Sequence, residues 1–275
     1  MTAGVNRAIL ELHEAGALTS TTLMARATST EEAIGIARAT PELGVGCHIV
    51  LVDGNPVLPA EKIPSLVDRR TGCFYPTLWT FLGRLLTGRI RSREIQAEAE
   101  AQIALLQNNG LTLTHVDTHK HVHMFPAVLR PVLSAATKQG IPAIRNPFEQ
   151  AWSLCATHGA PWKRRVEVRM LRGLQPGWKT VVRDAGFATT DGAIGVLATG
   201  TLDAATVSSL LRAMPTGTWE LVTHPGYCDN ELALARTRLL ASRERERETL
   251  LNASAFPTIE RISFAALRNG TGAGP

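Results

Sequence analysis

Four of the eight histidines fall within nine residues, in the run Thr114-His115-Val116-Asp117-Thr118-His119-Lys120-His121-Val122-His123. A strand period of two would place His115, Asp117, His119, His121 and His123 on one face, whereas a helical turn would pair His119 with His123 at i and i+4. Either arrangement converges imidazoles with a carboxylate, the donor mixture that suits Zn²⁺ and other first-row divalent ions. His48 lies inside the apolar run 44–51, where an imidazole needs a partner to offset its desolvation. His224 follows Trp219-Glu220-Leu221-Val222-Thr223, again at the carboxyl end of an apolar run. Each of these two histidines alone reads as a hydrogen-bonded core residue. Three histidine sites at three strand ends say more, because barrels and doubly wound sheets gather strand ends at one mouth. His13 and His158 have no such setting and are expected at the surface.

The elements that would position these residues alternate. Val5, Ala8, Ile9 and Leu12 follow helical spacing with Gly16 at the stop, and the β-branched run 19–25 then reads as a strand. The order repeats with a helix near 30–38, a strand near 45–52, a long helix near 92–108 closed by Gly110 and a strand near 111–116. A helix near 127–139 closed by Gly140 and a strand at 141–144 follow. Helices alternating with strands over short connections imply parallel strands joined by crossovers, in an open doubly wound sheet or a closed barrel. Residues 53–76 form a long excursion of the kind that shapes a site. Residues 146–161 read as loop and 162–174 as a basic helix. Helical or strand character is expected again at 202–214, 218–222, 231–251 and 262–267, and the tail 270–275 is expected to fray.

Composition narrows the classes. With 275 residues, 44% hydrophobic and 19% charged, the chain can bury a sizeable core in one domain spanning 1–275. No apolar run approaches the ~18 residues of a membrane span, and the N-terminus lacks the pattern of a signal peptide. Cys47, Cys73, Cys155 and Cys228 form no Cys-x-x-Cys pair, so neither a zinc ribbon nor a disulfide framework is indicated, and a cytoplasmic location fits. Aromatics at 5% and the lack of a nucleic-acid motif argue against a nucleic-acid partner despite the net charge of +5.

The chain resembles the YdjC-like carbohydrate deacetylases, which include chitooligosaccharide deacetylases and deacetylases associated with hopanoid biosynthesis. The resemblance is carried by Thr19-Ser20-Thr21-Thr22-Leu23-Met24, Gly46-Cys47-His48-Ile49-Val50-Leu51, the histidine run followed by Phe125-Pro126, Ala143-Ile144-Arg145 and Thr223-His224-Pro225. Leu51-Val52-Asp53-Gly54-Asn55-Pro56-Val57-Leu58-Pro59 looks closest to the hopanoid-associated branch. The resemblance implies an α/β fold, a distorted (β/α) barrel of mostly parallel strands. It also implies one divalent metal ion, Mg or Zn, held by His48, His119 and an aspartate of an Asp-Asp-Phe-Gly motif ending the first strand. The metal would activate water against an acetamide carbonyl. An acid must then protonate the departing amine, for which His224 is the candidate. Asp117 is the candidate to stand in for the absent carboxylate, and His121, His123 and Arg145 would bind substrate or support the metal ligands. His123 is expected near the pair as a third ligand or a supporting group.

This sequence departs from the family at its start. Met1-Thr2-Ala3-Gly4 stands where the family's first helix follows Asp-Asp-Phe-Gly, and no Asp-Asp occurs in the chain. A start placed downstream and a real loss of activity would both produce that, and either leaves two strands with unpaired edges. Two readings follow: a metal-dependent hydrolase of N-acetylated amino sugars, including lipid-linked ones, or a non-catalytic remnant that binds metal or sugar. A homo-oligomer is compatible with either. Finally, Arg84, Arg89, Arg91 and Arg93 surround Trp79, Phe81, Leu82, Leu85 and Leu86, and Lys163, Arg164, Arg165, Arg169 and Arg172 accompany Trp162, Val166, Met170 and Leu171. Basic helices with an apolar face are the composition of peripheral membrane contacts, so salt-sensitive binding to anionic membranes is expected.

Overall fold

The computed structural model describes residues 1–235, 237–253 and 259–267. The chain opens with α1 (Ala3–Glu14), capped by the Thr2 side chain and ended by Gly16 at φ 69°, a left-handed turn that glycine adopts without a Cβ clash. There follow β1 (Ser20–Leu23), α2 (Thr30–Ala39) and β2 (Gly44–Ile49), then α3 (Leu78–Leu86) and α4 (Ser92–Asn108). β3 (Val116–Thr118), α5 (Pro126–Lys138), α6 (Ala151–Ala156), α7 (Trp162–Leu171) and α8 (Gln175–Asp184) come next. The last third holds β4 (Gly192–Ile194), α9 (Ala204–Ala213), β5 (Trp219–Leu221), α10 (Asn230–Leu234) and α11 (Ala241–Ala253).

Every strand pairing is parallel. β1, β2 and β3 form one sheet in that order, and β4 pairs with β5 in a second. Single parallel bridges carry the curvature between them: Val116 to Ile144, Ala143 to Ala188 and Glu149 to Ala193. The fold is α/β with parallel strands, and no closed barrel is seen among the described residues, in keeping with the two unpaired edges expected without a first strand. Among the described residues the outer edges of β1 and β5 have no strand partner, and a cavity of about 1510 Å³ lies between them, lined by residues of both. The main core packs β2 and β3 against α4 and α5 through buried Ile49, Ile95, Ile103, Leu106, Val116, Leu129 and Val132. A smaller cluster of Ile194, Leu202, Val207 and Leu210 supports β4 and β5.

Several expectations shift. The strand expected at 111–116 starts at Val116, because ladder pairing begins only where Thr114 N–H reaches Val45 O and Cys47 N–H reaches His115 O. Residues 141–144 make isolated bridges rather than a ladder, and the loop expected at 146–161 contains α6. The single element expected at 231–251 is split into α10 and α11. Neither α8 nor β4 was anticipated, and the tail 270–275 lies outside the described residues. Among the described residues no helix is long and apolar enough to cross a membrane.

Candidate functional site

β2 and β3 pair in the register His48 to Asp117, so two polar residues meet inside an otherwise apolar pair of strands. His48 Nδ1 donates to Asp117 Oδ1 at 2.7 Å. The other Asp117 oxygen accepts from the Arg145 guanidinium, and Arg145 in turn donates through Nε to Glu220 Oε1 at 2.7 Å. Glu220, Arg145, Asp117 and His48 therefore form one hydrogen-bonded line from β5 to β2, with Asp117 fully buried at its centre. Burial alone would raise the Asp117 pKa, but Arg145 and then His48 hold the carboxyl well below the usual range, so it stays ionised. Burial pushes the Glu220 pKa up, partly offset by Arg145, and its Oε2 is buried without a hydrogen-bond partner.

His48 Nε2 is the ring nitrogen that Asp117 does not engage. That atom faces His119 Nδ1 at 3.3 Å, with the rings edge-on at 77°. Burial, with His48 and Lys120 nearby, lowers the His119 pKa to about 3, so the ring is neutral at physiological pH. Two imidazole nitrogens this close, one on a ring braced by a carboxylate, match the spacing of two ligand positions around a divalent cation. Among the described residues no group of three His, Cys, Asp or Glu side chains could hold a metal ion. The Asp117 oxygens face His48 Nδ1 and the Arg145 guanidinium.

The histidine run is neither the strand nor the helix expected of it. β3 ends at Thr118, a 3₁₀ turn covers His119–Met124, and Lys120 and His121 take left-handed backbone angles (φ 57° and 52°). His123 is thereby turned away from the pair. Its Nε2–H donates to Arg145 O at 3.0 Å, so its Nδ1 accepts from the Thr118 hydroxyl at 2.8 Å, and neither nitrogen is left for a cation. His121 lines the cavity with a buried, unpartnered Nδ1, and burial holds its pKa well below the ordinary value. His115 stands apart, stacked on Phe264 with centroids 3.8 Å apart. Gly46 makes room for it, since a Cβ there would meet His115 Cε1 at 2.6 Å.

His224 follows β5 and lines the same cavity. Its backbone N–H is fixed by Glu246 Oε2 at 2.6 Å, its Nδ1 has no partner, and burial lowers its pKa to about 3. Lys120 pairs with Asp53 at 3.2 Å on the rim. Glu220 was not singled out as a site residue from the sequence, although a carboxylate inside the apolar run Trp219-Glu220-Leu221-Val222 signals a buried partner. Asp229, which also adjoins a histidine motif, caps α10 through its side chain.

The family model described as YdjC-like protein matches residues 1–261. A protein named carbohydrate deacetylase from Thermoanaerobacter pseudethanolicus is 28% identical over 91% of this chain and 86% of its own length. One of the same name from Mus musculus is 32% identical over 80% of this chain and 72% of its own length. A third, from Brevibacillus brevis, is 39% identical over 53% of this chain, a match spanning about half (54%) of that relative. A crystal structure from Enterococcus faecalis V583, of a protein named for cellobiose-phosphate cleavage, superposes with a TM-score of 0.70 at 25% identity. That superposition covers 91% of this chain and 86% of the other.

Proposed function

The chain belongs to the YdjC-like protein family, and from that premise we propose that it is a carbohydrate deacetylase: a hydrolase that removes acetyl from an N-acetylated amino sugar with the help of one divalent cation. The observation that carries the reading is the convergence of His48 Nε2 and His119 Nδ1 at 3.3 Å inside the cavity. The substrate class is taken from the relatives' name.

His48 and His119 would hold the ion, Mg or Zn. When bound it supplies Lewis acidity toward water and the acetamide oxygen. The Glu220–Arg145–Asp117 line holds the His48 ring by its Nδ1–H, keeping Nε2 aimed at the cavity as a lone pair. In this role Asp117 is a positioning residue, and Arg145 acts through it. In hydrolysis the water oxygen bonds to the acetyl carbon and the C–N bond breaks, giving acetate and the free amine. His224, whose Nδ1 is unpartnered beside the cavity, would pass the proton that water loses there to the departing nitrogen. His121 Nδ1 offers the sugar an acceptor on the same wall.

Acetate release from N,N′-diacetylchitobiose, before and after chelation and re-addition of Zn²⁺ or Mg²⁺, tests this. The expected result is metal-dependent release that His224→Ala reduces by about 10²–10⁴-fold, the usual worth of a proton-transfer group. A second reading is favoured by one observation, the lack of a third protein ligand among the described residues: a site that binds cation and sugar without hydrolysis. Tight sugar binding with no acetate released under any metal would select it.

A further inference from the structure

Two helices keep an apolar stripe in solvent. On α3, Trp79 is 76% and Leu86 81% exposed, seven residues and so two turns apart on one face, while Phe81 anchors the helix in the core. On α7, Trp162 (69%), Val166 (47%) and Met170 (75%) recur every fourth residue, and no residue of that helix is buried. Charge accompanies both. The 25 residues from Arg69 to Arg93 contain six arginines and no Asp or Glu, and Arg89, Arg91 and Arg93 are exposed directly after α3. Lys163 and Arg169 are exposed on α7 beside Glu167.

Both helices also connect to the rim of the central cavity. On the β2 side Lys120 and Asp53 line it, Asp53 N–H donates to Tyr75 O at 2.9 Å, and the Arg84 guanidinium of α3 lies 4.5 Å from the Tyr75 ring centroid. On the β5 side Arg164 of α7 lines the cavity and donates to Val196 O at 2.8 Å and Leu197 O at 3.1 Å.

We propose that α3 with the arginines after it, together with α7, forms a lipid-docking surface that seats the protein on an anionic membrane beside its cavity. Trp and Leu side chains flanked by arginine suit the boundary between headgroups and acyl chains, where the ring or branched chain enters and the guanidinium stays with phosphate. The same concentration of positive charge opposes a second copy of this chain at that surface. The inference is independent of the proposed hydrolysis, because it needs no metal and no turnover.

Sedimentation of the full chain with phosphatidylcholine vesicles, with and without phosphatidylglycerol, at low and high salt, tests it. Expected are binding to the anionic vesicles only, loss at high salt, and quenching of tryptophan emission in the wild-type chain by brominated lipid. Arg89→Gln with Arg93→Gln should weaken the partition coefficient by roughly fivefold per arginine, and Trp79→Ser with Leu86→Ser should abolish the quenching contributed by α3. Failure to bind anionic vesicles at low salt, equal binding to neutral ones, or binding indifferent to both double variants would overturn it. So would light scattering showing a lipid-free dimer that Trp79→Ser with Leu86→Ser converts to monomer, which would make the surface an interface between copies.

Discussion

The two halves of the cavity wall are built on different terms. On the β2–β3 side His48 and Asp117 are paired in register, His123 has both nitrogens satisfied, and the large apolar core lies directly behind. On the β4–β5 side the supporting cluster is small, and Glu220 Oε2 and His224 Nδ1 have no partner, a feature shared by His121 Nδ1 just past β3. Buried polar atoms normally find partners, and those that do not are concentrated where a ligand supplies them. The first wall therefore fixes the His48–Asp117 geometry, unpartnered atoms of both sides face the cavity, and Arg145 joins the two walls.

The largest effect should come from cutting the paired wall. Asp117→Asn leaves Arg145 with one carboxylate and takes from His48 its charged acceptor, at a position with no solvent access, so a loss of about 3–5 kcal/mol is expected in urea unfolding. His224→Ala, on the other wall, should change stability far less while changing turnover far more. Equal destabilisation by the two would erase the contrast.

Acid should act next. Burial lowers the pKa of His115 and His224 to about 3 and of His123 to about 4, so the folded chain refuses protons that the unfolded chain takes up below about pH 6.5. The unfolded state then binds more protons, and stability falls as pH drops through that window, by up to about 1.4 kcal/mol per pH unit for each such histidine. The fall levels off only as pH approaches the folded values. Unfolding midpoints measured from pH 7 to 5 should decline, and His115→Phe should make the decline shallower. A smaller effect is expected from Gly46→Ala, whose Cβ would press on the His115 ring and cost about 1–3 kcal/mol of overpacking. Combined with His115→Ala, which vacates that space, the penalty should largely vanish.

The same contrast governs what could be read from sequence. Helices that end at glycine were legible: residues 92–108 match α4, closed by Gly110 at φ 84°, and α5 is closed by Gly140 at φ 69°. His48 and His119 were legible as a pair because their motifs resemble a family whose pattern spans both strands. On the other wall the run 218–222 was legible and holds β5, whereas β4 was not. The three residues of β4 carry too little alternation to register, and α8 begins with Pro176 and Gly177, which read as a turn although Pro suits a first helical turn. The left-handed turn at Lys120 and His121, which swings His123 away from His48 and His119, has no signature in residue type, since neither is glycine or asparagine. Arg145 was named from its motif, but its second partner, Glu220, is 75 residues away and emerges only from the packing of β5.

Zinc titration by calorimetry is the most direct measurement of the central claim, that His48 and His119 form the cation-binding pair. One ion per chain is predicted for the wild type, and no saturable binding for His48→Ala with His119→Ala. Unchanged stoichiometry and affinity in that double variant would contradict the assignment.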